Sequence, residues 1–242
     1  GDVLLQVGAE ANQTIGFSIQ AMSTEKLGLG SSSGDLTGDR FNPTGSFNDG
    51  DILINGVGLS AHNFATDNLE DLLDDINDNV EGVSVEGFNI VEADTVGSAI
   101  LSGNEAVQIT LGSISGQPPT SYQFQNTSSL EELVTSINSA AGGNIEATIS
   151  DTGRLVLSNA TGGDITVAVD NDVTDGGGVF AANEAGAFTL EAITGMQDTG
   201  AAGTETFSGS LSISAEDGGE IIIVKGANGT DADLASLGFR AT

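Results

Sequence analysis

The chain has 242 residues, of which 35 are Asp or Glu and 5 are Lys or Arg, a formal net charge of −30, and it holds 35 Gly, 3 Pro, no Cys and no Trp. Without sulfur ligands there is no disulfide scaffold, no Cys-ligated zinc or iron–sulfur centre and no catalytic thiol, and so acidic a surface repels a phosphate backbone, which argues against nucleic acid as a partner. No apolar run approaches the ~20 residues of a membrane span, while a chain of this length and composition can bury roughly 70% of its unfolded surface.

The first segment, Gly1-Asp2-Val3-Leu4-Leu5-Gln6, has neither the basic start nor the apolar stretch of a signal peptide. It alternates instead. Val3, Leu5 and Val7, then Ile15, Phe17 and Ile19, form two period-two runs around a turn-rich segment and predict a β-hairpin over 1–20. From Gly30 to Gly45 no period is visible, and the stretch reads as a linker into a second body. Asp51-Ile52-Leu53-Ile54-Asn55-Gly56 is an apolar strand closed by an Asn-Gly turn signal.

The period then changes. Leu69, Leu72, Leu73 and Ile76 fall at i, i+3, i+4 and i+7, and Asp67 followed by Glu70 resembles a helix-start capping arrangement, so a short amphipathic helix is expected over 67–77. Leu130, Leu133, Val134 and Ile137 repeat the spacing, opened by Ser129 with Glu132 as a capping box. Leu69 and Leu130, Leu72 and Leu133, Ile76 and Ile137, and Asn77 and Asn138 align at one constant offset, which marks an internal repeat. Strand-like sequence follows each copy: 83–90 and 106–111 after the first, 145–149, 155–157 and 165–169 after the second. From Ala187 the helix signal disappears, and Phe188, Leu190, Phe207, Leu211, Ile213 and 221–224 read as strand. Residues 231–239 allow one helical turn.

Chemistry is sparse along this chain. The single histidine, His62 in Ser60-Ala61-His62-Asn63-Phe64, reads as a loop residue between a strand and a helix. No metal-binding H-E-x-x-H, no G-x-S-x-G elbow and no phosphate-binding loop occurs. Asp170-Asn171-Asp172-Val173-Thr174-Asp175-Gly176 superficially suggests a calcium loop, but its acidic spacing is off by one and Ala181 stands where a bidentate Glu belongs, so an acidic turn is expected. Carboxylates are plentiful enough for a glycosidase pair about 5–10 Å apart, but one Tyr and no Trp offer few sugar platforms. Sequons at Asn12, Asn126, Asn159 and Asn228 read as chance matches in an Asn-, Ser- and Thr-rich chain.

The run Leu5-Gln6-Val7-Gly8-Ala9-Glu10-Ala11-Asn12-Gln13-Thr14-Ile15, continuing to Met22-Ser23-Thr24-Glu25-Lys26-Leu27-Gly28-Leu29, resembles bacterial flagellin, with Glu10 where Asn is usual. In that family this segment forms the β-hairpin of the inner D1 domain. Phe47-Asn48-Asp49-Gly50-Asp51-Ile52-Leu53-Ile54-Asn55-Gly56-Val57 and the helix ending in Ile76-Asn77 are similar to a motif of the variable outer region of flagellins and hook-associated proteins. Asp233-Leu234-Ala235-Ser236-Leu237-Gly238-Phe239 resembles the point of return to D1. The coiled helical arms through which family members polymerise have no counterpart here, so the resemblance is to the outward-facing middle of a flagellin.

The expected fold is α+β, mainly antiparallel β with two short amphipathic helices in repeated β-α-β-β units and a β-rich C-terminal part. Its expected organisation is a D1-like hairpin and linker over 1–45, a first repeat over 46–112, a second over 113–175 and a β-rich return over 176–242. The resemblance implies a structural protein: the exposed outer domains of an extracellular flagellar filament subunit, supporting motility, with other subunits as partners through helices outside this sequence and lateral contacts between outer domains open to it. No membrane partner, enzymatic activity, cofactor, or catalytic or metal residue is expected, and the isolated chain is expected to be monomeric. The alternative is a flagellin-like or hook-associated surface module that binds glycan or calcium.

Overall fold

The computed structural model describes residues 2–6, 14–18, 35–67, 69–112, 118–174, 188–198, 203–216 and 218–240. At the start, β1 (Asp2–Gln6) and β2 (Thr14–Ser18) pair antiparallel, Val3 opposite Phe17 and Leu5 opposite Ile15, which is the hairpin that the two alternating runs predict. The described part of the expected linker departs from the reading, because it carries β3 (Leu36–Arg40) at the edge of a five-stranded sheet. The strand shows no period of two since, Gly38 apart, all its residues are exposed. Its hold comes from hydrogen bonds that hydropathy does not register: Asp39 N–H to the Gly238 carbonyl (2.8 Å), Phe41 N–H to the Gly209 carbonyl (2.8 Å), and the Arg40 side chain.

Short strands β4 (Ser46–Phe47), β5 (Ile52–Ile54), β6 (Val57–Gly58) and β7 (His62–Asn63) follow. Between β5 and β6, Asn55 and Gly56 both take positive φ, 50° and 84°, with Ile54 opposite Val57. That is the two-residue turn whose twist matches the strands it joins, and Asn and Gly tolerate it best. Helix α1 (Leu69–Asn79) begins two residues later than expected. The Asp67 carboxylate accepts the Asn63 N–H (2.8 Å) and the Thr66 hydroxyl (3.1 Å), closing the turn ahead of the helix. Leu72 and Ile76 of its aliphatic stripe are buried against β8 (Val83–Glu92).

Next come β9 (Ala106–Leu111), β10 (Thr120–Phe124), α2 (Leu130–Ala141), β11 (Glu146–Ile149), β12 (Leu155–Asn159) and β13 (Ile165–Asp170). The sequence places Leu190 in a strand, but it opens a helix, α3 (Leu190–Thr194). Thr189 caps it by accepting the Ala192 N–H (3.1 Å), and Gly195, at φ 79°, ends it in the left-handed region. One and a half turns are too few to display a helical period, so only the cap and the stop betray it. The chain closes with β14 (Thr204–Phe207), β15 (Ser210–Ala215), β16 (Ile223–Lys225) and α4 (Asp231–Ser236), the last opened by a reciprocal Thr230–Asp233 capping box.

The larger sheets run β11-β12-β8-β15-β3 and β10-β9-β13-β14, with smaller sheets β16-β5-β6 and β4-β7; the pairings among the described strands are antiparallel. The fold is α+β and mainly β. One core gathers under α2, with Leu133, Ile137, Leu155, Leu157 and Ile165 fully buried; the other lies under α1 and α4, around Ile52, Ile54, Ile76, Leu211 and Leu237. Strand β8 serves both, sending Val83 and Val85 into the second core and Val91 into the first. Its burial alternates residue by residue along the whole strand, as a sheet with one solvated face requires. Among the described residues no helix is long and apolar enough to cross a membrane.

Candidate functional site

Both long helices are fastened to the strand that follows by the same device. Asn138, near the end of α2, donates from Nδ2 to the Ala147 carbonyl (2.8 Å) and accepts the Ala147 N–H at Oδ1 (2.8 Å). Asn77, its counterpart in the repeat, does the same to Val85, at 3.1 Å and 2.8 Å. A carboxamide carries a donor and an acceptor side by side, so one side chain can satisfy both peptide groups of a single residue; a carboxylate or a hydrocarbon cannot. The clamp sits where helix and strand cross, one residue past the fully buried Ile137 or Ile76. The Ile-Asn pair at the constant offset was the sequence signal of both.

The start of α2 differs in detail from the expected box. Ser129 Oγ accepts the Glu132 N–H (3.3 Å), but the Glu132 carboxylate reaches back one residue further, to the Ser128 N–H (2.8 Å) and hydroxyl (2.7 Å). Those two donors hold the Glu132 carboxyl below the usual carboxylate range. At the far side of the unit, buried Asn159 accepts from the Thr161 N–H (2.9 Å), the Thr161 hydroxyl (2.7 Å) and the Gly163 N–H (3.2 Å), and donates to the Asn144 carbonyl (2.6 Å). The Asn159 sequon is therefore a turn lock, its side-chain oxygen accepting from Thr161 and Gly163 while its nitrogen donates to Asn144. Asn126 and Asn228 are exposed, and Asn12 lies outside the described residues.

A polar seam joins the two larger sheets. Arg40 on β3 donates through Nη1 to Asn89 Oδ1 (2.8 Å) and to the Ser208 carbonyl, and through Nη2 to the Ile90 carbonyl (2.6 Å), with its guanidinium 5.7 Å from the Phe207 ring centre. Buried Asn89 donates onward to the carbonyls of Gly163 (2.9 Å) and Phe207 (2.7 Å). Burial pushes the Asp164 carboxyl upward, against hydrogen bonds from Ser208 and Gly209 and the attraction of Arg40. Gly87, Gly162 and Gly209 meet backbone to backbone here, and a Cβ on Gly209 would collide with the Gly162 carbonyl.

Beside the seam is a cavity of about 80 Å³ whose lining includes His62, Asp67, Asp164 and Ser208. These are the residue types of a hydrolytic triad, yet Ser208 gives its hydrogen bond to Asp164, and His62 Nε2 has no hydrogen-bond partner among the described residues. A nucleophile needs its base within hydrogen-bond reach, and here the two are not joined. His62 is also not the loop residue its neighbours suggest. It is 5% exposed, stands in β7 opposite Phe47, and meets the Phe64 ring edge-on at 4.7 Å between centroids. A ring flanked by Phe47 and Phe64 pairs as part of an aromatic cluster, which sequence spacing does not display.

The acidic run after β13 is a pair of side-chain turns. Asp170 accepts the Asp172 N–H (2.9 Å), and Asp172 accepts the Thr174 N–H (3.0 Å) and hydroxyl (2.6 Å). Among the described residues no group of three or more His, Cys, Asp or Glu is placed to hold a metal ion; Asp175, Gly176 and Ala181 lie outside them.

Residues 106–161 match the family model described as the flagellin hook IN motif. That span runs from β9 through the Asn138 clamp to the Asn159 turn. No curated protein matches the chain. Remote likenesses among solved structures are the flagellar cap protein FliD D1-D2-D3 domains from Escherichia coli, at 12% identity and a TM-score of 0.27 over 65% of this chain and 61% of that one, and FliD from Helicobacter pylori, at 14% identity and a TM-score of 0.22 over 86% and 78%. This chain thus spans less than two thirds of the E. coli structure. It is through the hook IN motif over residues 106–161, under a quarter of its length, that the chain is similar to flagellin-type flagellar proteins.

Proposed function

We propose that this chain forms the solvent-exposed outer domains of a flagellar filament subunit, a non-catalytic spacer on an extracellular polymer that serves motility. The observation that carries the reading is the position of the hook IN unit in a body that the chain enters and leaves side by side. Asp39 on the way in bonds through its N–H to the Gly238 carbonyl on the way out (2.8 Å), and its carboxylate pairs with Arg240 (3.1 Å). A body with adjacent ends can project from an inner scaffold without disturbing it. In this reading residues 46–112 and 113–175 are its two repeated units.

The charge fits the same role. At −30, neighbouring copies repel one another, and a filament coated with them resists sticking to its own kind. Subunit partners engage through helices beyond this sequence, and the isolated chain is monomeric. Gold-labelled antibody raised against the chain tests the assignment on intact flagella. Labelling along the whole shaft is expected, and labelling confined to the tip or to the hook junction would refute a filament subunit.

A further inference from the structure

His62 is the only histidine in the chain, and its environment has two sides. Inward, its ring stands between Phe64 (4.7 Å, edge-on) and Phe47 (6.1 Å, tilted), with Phe41 stacked on Phe64 beyond (5.0 Å). Nε2 is buried and has no hydrogen-bond partner among the described residues. Outward, a shallow depression that His62 shares with Ser60, Asp67, Asp71 and Asp75 is lined by carboxylates of α1 and the turn before it. A neutral imidazole is at home in the aromatic box, whereas an imidazolium loses its hydration there and gains no acceptor. The carboxylates a short way outside are what it lacks.

We propose that His62 is an acid-sensitive latch: neutral, it holds β7 closed on the core beneath α1; protonated, it leaves the aromatic box for the carboxylates outside, and the β4–β7 ribbon and α1 loosen while the α2 core stays shut. The titratable groups around it are Asp49, which accepts the Ala61 N–H (2.7 Å), Asp67, Asp71 and Asp75 on the outer side, and Asp164 across the inner cavity. Burial depresses the ring's proton affinity, and the attraction of Asp67 and Asp71 only partly restores it. The released ring therefore binds a proton more readily than the closed one. Closure is unaffected by pH well above the point at which the released ring titrates, which the outer carboxylates raise over the ~6.5 of a free imidazole, and below that point the opening constant rises by up to about tenfold per pH unit until the closed ring itself titrates.

The composition makes the test clean. Tyr122 is the only Tyr in a chain without Trp, packs against the α2 core and accepts a hydrogen bond from Asn144 Nδ2 (2.8 Å), so its fluorescence reports on the region expected to stay closed. In the full chain between pH 7 and 5, hydrogen-exchange protection corrected for intrinsic rates should fall in peptides covering 46–64 and 69–80. Protection over 130–149 and the Tyr122 signal should hold. The single histidine C–H resonance should titrate below the free-imidazole value. H62F should abolish the acid-side fall, and D71N, at an exposed position, should move its onset to lower pH by removing an attracting carboxylate. A histidine titrating at or above the free value, a parallel loosening of both cores, or an onset unmoved in D71N overturns the latch.

Discussion

Replacing Asn138 by alanine removes both arms of the α2 clamp and leaves the Ala147 N–H and carbonyl without their partners. Ala147 is 1% exposed, so water does not readily take over. Two neutral hydrogen bonds at 2.8 Å contribute about 0.5–1.5 kcal/mol each, and stranding the buried peptide groups costs toward the upper end of that range. Alanine's better helix propensity offsets about 0.5 kcal/mol. The net loss expected for Asn138→Ala is about 1–2.5 kcal/mol, read from urea unfolding followed by Tyr122 fluorescence and far-ultraviolet circular dichroism together. Asn77→Ala removes the equivalent pair from the other repeat and should cost a similar amount. Asn138→Asp should be worse than alanine at neutral pH, since a carboxylate keeps the acceptor but turns a second oxygen toward the Ala147 carbonyl. Its raised pKa means that the deficit shrinks as the pH falls and the carboxyl regains a proton to donate. A loss below about 0.3 kcal/mol for Asn138→Ala, within the error of independent sites, would refute the view that these amides fasten helix to sheet.

Three further outcomes are expected. Gly209→Ala should destabilise by about 3 kcal/mol or more, because the added methyl meets the Gly162 backbone at the seam rather than a side chain that can move; a melt within a degree of the parent would contradict this. Thr230→Ala breaks the reciprocal box with Asp233 (2.7 Å and 3.3 Å) and should cost about 1 kcal/mol, visible in denaturant melts as a lower midpoint with the slope unchanged. Raising sodium chloride from 20 to 500 mM should raise the melting temperature by screening the self-repulsion of a −30 chain, and a flat or falling midpoint would show that the acidic groups are spaced too widely to repel.

Much of this protein was legible from local pattern. The aliphatic stripes of α1 and α2, the alternation that became the β1–β2 hairpin, and the Asn55-Gly56 turn are set by residues close together in the chain, where period and backbone preference speak directly. The constant offset between Ile76-Asn77 and Ile137-Asn138 marked two related units, and the pair of clamps on Val85 and Ala147 is the physical content of that repeat. What local pattern could not supply was partnership. Strand β3 looked like linker because its bonds run to Gly238, Asn89 and Ser208, residues remote in the chain. His62 looked like a loop residue because its burial needs Phe47 across the ribbon as well as neighbouring Phe64, which Phe41 backs from farther along the chain. Helix α3 was hidden by its shortness, and the seam of Arg40, Asn89 and Asp164 by the distance between its members. Short-range periodicity thus determined the two long helices and the strands that alternate clearly, whereas the edge strand β3, the short helix α3, pairing order, burial of polar groups and the surroundings of the one histidine were decided only when distant segments met, since hydrogen bonds and desolvation depend on neighbours in space.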